Sequence, residues 1–269
     1  QRGALTLPQI DAVLAQAAAV KTVAWIYFEG GEPFLYYATL VQGVRRAAAA
    51  GFMVGIVTNG YWAISAADAQ EWLRPFAGLI QDLSISSDRF HYSQENNAQV
   101  RFAIQAAEAL NIPVGTISIA QAGELLDWDG VGMLPAGASG VMFRGRAAEK
   151  LAGRVTHRPW TEFTTCPHED LVELGRVHLD PLGNLHVCQG ILMGNLFEQP
   201  LAALCQAYDP QAHLIIGPLL AGGPRALAEA YGLPLAGAYA DACHLCYRAR
   251  KALRGQFPEV LGPGQVYGA

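Results

Sequence analysis

Five short apolar or β-branched runs recur through the first half of the chain, beginning at Val23, Met53, Asp82, Pro113 and Ser139, a spacing of 26 to 31 residues. This spacing constrains the fold more than any other feature. About thirty residues accommodate one strand, one helix and the two loops that return the chain to a parallel neighbour. Runs that are apolar throughout, rather than alternating, imply parallel strands covered on one or both faces. The intervening segments carry helix punctuation. Thr6 can cap a helix whose Ile10, Val13, Leu14 and Ala17 share one face, Gly51 stands where a left-handed C-cap belongs, Ser65 with Asp68 resembles a capping box, and Ser93 opens an amphipathic stretch toward Asn111.

Ligands in parallel α/β folds bind at the carboxyl ends of the strands. Those ends read Glu29-Gly30-Gly31-Glu32-Pro33, Thr58-Asn59-Gly60-Tyr61, Ser84-Ile85-Ser86-Ser87-Asp88, Ser118, and Arg144-Gly145-Arg146. A polar, glycine-containing strand-to-helix loop is ordinary taken singly; five in succession point to a site. The first helix has no strand before it and the sequence opens on Gln1, so the periodicity leads us to expect one strand and its loop upstream.

Charge narrows the function class. Charged residues make up 15% of the 269 residues, with 18 Lys+Arg against 23 Asp+Glu, which is no footprint for a phosphate backbone and argues against nucleic-acid partners. No apolar run reaches the length of a membrane span and no signal-peptide pattern opens the chain, so a soluble, cytoplasmic protein without a membrane partner is expected. All five cysteines fall in the second half. An odd count without a secretory signal favours metal or redox chemistry over a disulfide framework.

Gly30 and Gly31 let the backbone turn sharply and approach a ligand with no Cβ in the way. Glu32 adds a carboxylate beside exposed backbone polar groups, which suits an ammonium, and Pro33 stiffens the exit. The third glycine of a dinucleotide fingerprint is absent. The Gly30-Gly31-Glu32-Pro33 loop resembles that of the radical S-adenosylmethionine (radical SAM) superfamily, in which it holds the methionyl amine. Thr58-Asn59-Gly60 is similar to the family's third-strand ending, Ser84, Ser86 and Asp88 to its ribose-contacting region, and Arg144-Gly145-Arg146 to a sixth-strand ending of members with extra iron–sulfur domains. The resemblance implies a partial (β/α)6 barrel over 1–150 lacking its first strand. The family's C-x-x-x-C-x-x-C loop, which holds the [4Fe–4S] cluster that cleaves SAM, does not occur in this sequence and is expected upstream.

Beyond 154–165 the period breaks and Cys166, Cys188, Cys205, Cys243 and Cys246 appear. Cys243-His244-Leu245-Cys246 is a C-x-x-C, from which a short loop can bring two thiolates to one metal or cluster. Arg176 to Cys188 reads as a hairpin around Asp180-Pro181-Leu182-Gly183. With Gly183 in the left-handed position of a bulged three-residue loop, Asp180 pairs with Asn184, Val177 with Val187 and Leu179 with Leu185, while His178, His186 and Cys188 take the other face. We expect Cys205 to be a small buried apolar residue, both histidines to be exposed, and Arg248, Arg250, Lys251 and Arg254 to form a solvated helix face or to place positive charge near a cluster.

The order of Cys166, Gly183, Cys188 and the C-x-x-C resembles the SPASM or shorter twitch auxiliary-cluster domains of radical SAM enzymes. It implies a cysteine-rich domain over 151–269 with one [4Fe–4S] cluster on Cys166, Cys188, Cys243 and Cys246; a four-cysteine zinc site would use the same thiolates. The whole resemblance implies a radical SAM oxidoreductase or maturase that takes an electron donor and a peptide or small-molecule substrate. Its cofactors would be SAM, a radical-initiating cluster carried upstream, and the auxiliary cluster. A non-catalytic iron–sulfur or zinc scaffold that binds a peptide or small ligand, and a SAM-binding regulator, are the competing readings.

Overall fold

The computed structural model describes residues 3–87, 98–119, 137–234 and 237–268. The chain forms two compact units, one of residues 4–120 and 135–139, the other of 1–3, 121–134 and 140–269.

In the first unit, strands β1 (Trp25–Phe28), β2 (Met53–Thr58), β3 (Asp82–Ser86), β4 (Val114–Ile119) and β5 (Gly137–Ser139) make one parallel sheet in sequence order. Helices α1 (Leu7–Val20), α2 (Tyr37–Ala49), α3 (Ala66–Leu73) and α4 (Ala98–Ala109) alternate with the first four strands. Their apolar stripes pack on a single face. Ile10, Leu14 and Ala17 of α1, Val44 and Ala47 of α2, Leu73 of α3 and Ala103 of α4 join Val54, Ile56, Leu83 and Ile85 in one core. The strand period of two sends Trp25, Tyr27 and Met53 to the other face, where all three are exposed. That face is aromatic and polar: the rings of Trp25 and Tyr27 stack at 5.5 Å, and burial, with Asp82 adding to it, pushes the Tyr27 phenol up to about 12.

Local signals hold the expected helix ends. The Thr6 hydroxyl accepts from Gln9 N–H, and the Gln9 side chain accepts from Thr6 N–H in return. Ser65 Oγ accepts from Asp68 N–H at 3.1 Å, and Gly51, just past α2, has φ +89°. Ser93 lies outside the described residues, and α4 is described from Ala98. The fifth strand differs from expectation. It ends at Ser139, where the sequence reading begins it, so Arg144-Gly145-Arg146 is no strand terminus; Arg146 instead opens helix α5 (Arg146–Lys150).

The division between units also falls at 139/140 rather than after 150. The cause is α5 itself: Glu149 accepts hydrogen bonds from Tyr247 Oη and Lys251 Nζ of helix α8 (Ala242–Leu253), and Ala148 joins the second unit's core with Leu171, Val187 and Leu227.

That unit holds a two-stranded ladder of β6 (Arg158–Pro159), which pairs with a short strand near the C-terminus, and a three-stranded antiparallel sheet of β7 (His178–Leu179), β8 (Asn184–Cys188) and β9 (Ile191–Asn195). Helices α6 (Leu201–Ala207) and α7 (Ile216–Ala230), then the ladder's second strand β10 (Ala238–Tyr239), lead to α8. The hairpin register is the bulged one: His178 pairs with His186, Leu179 with Leu185, and Asp180 N–H donates to Asn184 O. Gly183 has φ +88°, and a Cβ there would meet the Phe197 ring at 2.4 Å, so the turn requires glycine both for its backbone and for its space. β9 is a strand the sequence reading lacks. It returns through the two-residue turn Gln189-Gly190, since Cys188 pairs directly with Ile191.

Candidate functional site

The second unit gathers four thiols. Cys166 sits in the loop after β6, Cys188 ends β8, and Cys243 and Cys246 lie on α8. All four line one cavity with Arg144 and Arg250, a hollow with about 430 Å³ unfilled by protein atoms, counting solvent at its mouth. The C-x-x-C is helical rather than a loop. Asp241 caps α8 by accepting from His244 N–H at 2.6 Å, so Cys243 and Cys246, three apart, emerge on one side of the first turns, beside the helix's positive end.

Cys205 stands apart. It lies on α6 and is exposed, not buried as expected, because Leu201 and Leu204 take the packed side of that helix.

The cavity wall is charged where the sequence suggested solvent. Arg250 is fully buried rather than solvated; its Nη1 donates to Gln189 O at 2.8 Å and to Tyr267 Oη at 3.3 Å, and its Nε to Cys246 O. Arg144 Nη1 donates to Cys188 Sγ at 3.4 Å and lies 3.7 Å from Glu169, which also pairs with Arg176. Burial pushes the Cys166, Cys243 and Cys246 thiols up, Cys246 to about 11. Burial also works against the charge of Arg144, but Cys188, Cys243 and Glu169 outweigh it and hold the guanidinium charged. His186 is buried rather than exposed: Asp180 meets its Nε2 and Gly190 N–H donates to its Nδ1.

A cationic group fits this donor set. Four half-buried thiols brought together become thiolates more readily with a cation among them, and four thiolates on a dication leave two negative charges that Arg144 and Arg250 can offset. The spacing bears on which cation. Among the described residues, the ligand atoms lying within 4.8 Å of one another are those of His168, Asp241 and Cys243; no three of the four sulfurs do. A tetrahedral zinc with Zn–S near 2.3 Å requires sulfurs only about 3.8 Å apart, closer than any three of these thiols stand together. His168 Nδ1 is buried without a hydrogen-bond partner.

The first unit supplies the other candidate region at its strand ends. Glu32 is buried and knits β1 to β2: its Oε1 accepts from Phe34 N–H at 3.0 Å and from the Thr58 hydroxyl at 2.9 Å, and its Oε2 from Asn59 N–H at 2.7 Å. The Thr58 hydroxyl in turn accepts from Gly60 N–H and Trp62 Nε1. Pro33 starts a 3₁₀ turn to Tyr36. Gly30 takes φ +131°, and a Cβ added at Gly30 or Gly31 would meet no protein atom within 4 Å, which leaves a backbone cradle open to a ligand. Ser84 and Ser86 follow on β3, with Ser84 Oγ donating to Asp82 at 2.9 Å. Asp88 lies outside the described residues.

No protein-family profile and no curated protein matches the chain. Two of the solved structures that match the chain are these. A crystal structure of BtrN in complex with AdoMet and 2-DOIA is 18% identical, over 76% of this chain and 70% of that one, with a TM-score of 0.46. Native anSMEcpe with bound AdoMet is 11% identical, over 95% of this chain and 88% of that one, with a TM-score of 0.47.

No helix among the described residues is long and apolar enough to cross a membrane.

Proposed function

We propose that the chain forms the SAM-binding barrel and the auxiliary-cluster domain of a radical SAM oxidoreductase or maturase. Cys166, Cys188, Cys243 and Cys246 hold one [4Fe–4S] cluster, and the Gly30–Pro33 loop with Asn59, Ser84, Ser86 and Asp88 holds SAM. One observation carries the reading: four cysteines from three separate segments line one cavity at sulfur spacings wider than a single ion needs. Further support comes from the carboxyl ends of parallel strands, where Glu32 fixes the glycine turn against Asn59. When bound, SAM and the radical-initiating cluster would supply a 5′-deoxyadenosyl radical that takes hydrogen from a peptide or small-molecule substrate.

This chain's own residues do the rest. Gly30 and Gly31 present backbone to the ligand, the aromatic and polar sheet face of Trp25, Tyr27 and Asp82 offers a surface for substrate, and the half-buried thiols hold the auxiliary cluster.

A zinc scaffold is the second reading, favoured by the proximity of His168, Asp241 and Cys243. Against it, both Asp241 oxygens already accept backbone N–H groups, from His244 and Phe143.

Iron, acid-labile sulfide and zinc, assayed on full-length protein purified without oxygen, test the proposal. Cys246→Ser should lose the auxiliary cluster's share, about half of the iron and sulfide of two [4Fe–4S] clusters, while Cys205→Ser keeps all of it. Zinc without sulfide, persisting in Cys166→Ser and Cys188→Ser, would replace the cluster with the scaffold.

A further inference from the structure

We propose that Arg144 sets the reduction potential of the group held by the four thiols, through its hydrogen bond to Cys188 Sγ and the charge it places beside that sulfur. The inference rests on the auxiliary-cluster reading and concerns what this chain does to such a cluster. Potentials of thiolate-bound clusters respond to hydrogen bonds to sulfur, to net charge and to burial, and residues outside the ligand set tune them. Arg144 supplies two of these together. Its Nη1 donates to the sulfur at 3.4 Å, and its side chain is only 20% exposed, so its charge is incompletely screened by water.

The two cavity arginines differ in what holds them. Arg250 is tied by Gln189 O, Cys246 O and the Tyr267 hydroxyl, bonds that fasten α8 to the β8–β9 turn and to the C-terminal segment. Arg144 has its sulfur contact and a longer approach of 3.7 Å to Glu169, whose nearer partner is Arg176 at 3.3 Å. Arg250 also acts on the Cys246 thiol, but its three oxygen partners make it a structural tie, whereas Arg144 is held chiefly at the Cys188 sulfur, with Glu169 as an opposing charge on the same cavity wall.

The electron balance is simple. One electron arrives from a low-potential one-electron donor, no bond forms or breaks, and Arg144 keeps its protons. The reduced state carries one more negative charge, which a neighbouring guanidinium stabilises, so Arg144 raises the potential while Glu169 lowers it.

The experiment is a redox titration of full-length protein with its auxiliary cluster, followed by visible absorbance and electron paramagnetic resonance, with iron and sulfide assayed in every sample. Arg144→Met should disfavour reduction at least tenfold, a fall of 59 mV for a one-electron couple. Glu169→Gln should move the potential upward, and Arg144→Lys should fall between wild type and Arg144→Met. Packing damage alone would not give shifts of opposite sign. With cluster content intact, an unmoved potential in Arg144→Met, or a shift of the same sign in Glu169→Gln, overturns the role of Arg144 and leaves the cluster reading standing. Zinc without sulfide in the wild-type protein overturns both.

Discussion

Glu32 and Gly31 are adjacent, yet they separate the stability of the strand-end site from its ligand binding. The Glu32 carboxylate satisfies two N–H groups and a hydroxyl across two strand ends. Glutamine keeps one acceptor oxygen, so either Phe34 N–H or Asn59 N–H is stranded, at a cost of about 1–3 kcal/mol. Glu32→Gln should therefore lower the unfolding midpoint as well as weaken SAM binding about ten- to a hundredfold. Gly31→Val is the cleaner probe. Its backbone is outside the left-handed region and its new Cβ would meet no protein atom, so the fold should be unchanged while SAM affinity, measured by calorimetry, falls at least tenfold. Unchanged affinity in Gly31→Val would remove SAM from this loop. The turn itself was legible, since paired glycines after a strand mark a sharp loop, while its ligand came only from the family resemblance. The bonding of Glu32 beyond Phe34 was not legible, since Thr58 and Asn59 lie 26 and 27 residues away at the end of another strand. Of the cavity's charges, Arg250 was one of four basic residues that the sequence could place near a cluster, but which of them turned inward, and the pairing of Arg144 with Cys188 and Glu169, depend on segments distant in sequence.

At the scale of elements, punctuation in the sequence predicted what local chemistry decides. The Thr6 and Ser65 caps, the Gly51 terminus and the Asp180–Gly183 turn each depend on residues within four positions. Features decided by distant packing escaped it. β9 follows a Gln-Gly turn whose glycine, at φ +89°, was the available signal. The start of α7 is another such case, because no side chain at its N-cap position closes it. His213 does so instead: its Nδ1 accepts from Ile215 and Ile216 N–H while its Nε2 donates to Leu192 O. These partners require the neutral ring with its proton on Nε2. Burial, the largest cause, lowers the His213 pKa below its usual 6.5, the bond to Leu192 opposing it. Between the folded and unfolded values the unfolded chain binds the extra proton, so this contribution is present at neutral pH and lost as pH falls below about 6.5. His213→Leu should destabilise the protein near neutrality by about 1–2 kcal/mol. It should also reduce the acid-side slope of stability against pH by up to about 1.4 kcal/mol per pH unit. Denaturant melts at several pH values measure both, and an unchanged slope would refute the capping role.

For the whole molecule, the two cores differ in what completes them. The first packs apolar side chains, with Val54, Ile56, Leu83 and Ile85 of adjacent strands at or near zero exposure, and its buried polar groups Glu32 and Thr58 bond to one another. In the second, Cys166, Cys188 and Cys246 border the core of Val187, Ile191, Leu219 and Leu253, around a cavity that also holds two arginines. If those thiolates release a metal group, the sulfurs lose the cation that joined them and the two guanidiniums lose the net negative charge that offset them. Metal binding free energy is then folding free energy for that unit, and its loss should appear as local opening rather than uniform softening. Hydrogen exchange read by mass spectrometry, with and without chelation of the metal group, should show faster exchange across 184–195 and 242–253 after removal. Exchange across 53–58 and 82–86 should be unchanged. Equal loss of protection in both sets would mean that the metal group supports the chain as a whole, and no change in either would mean that the four thiols hold nothing the fold depends on.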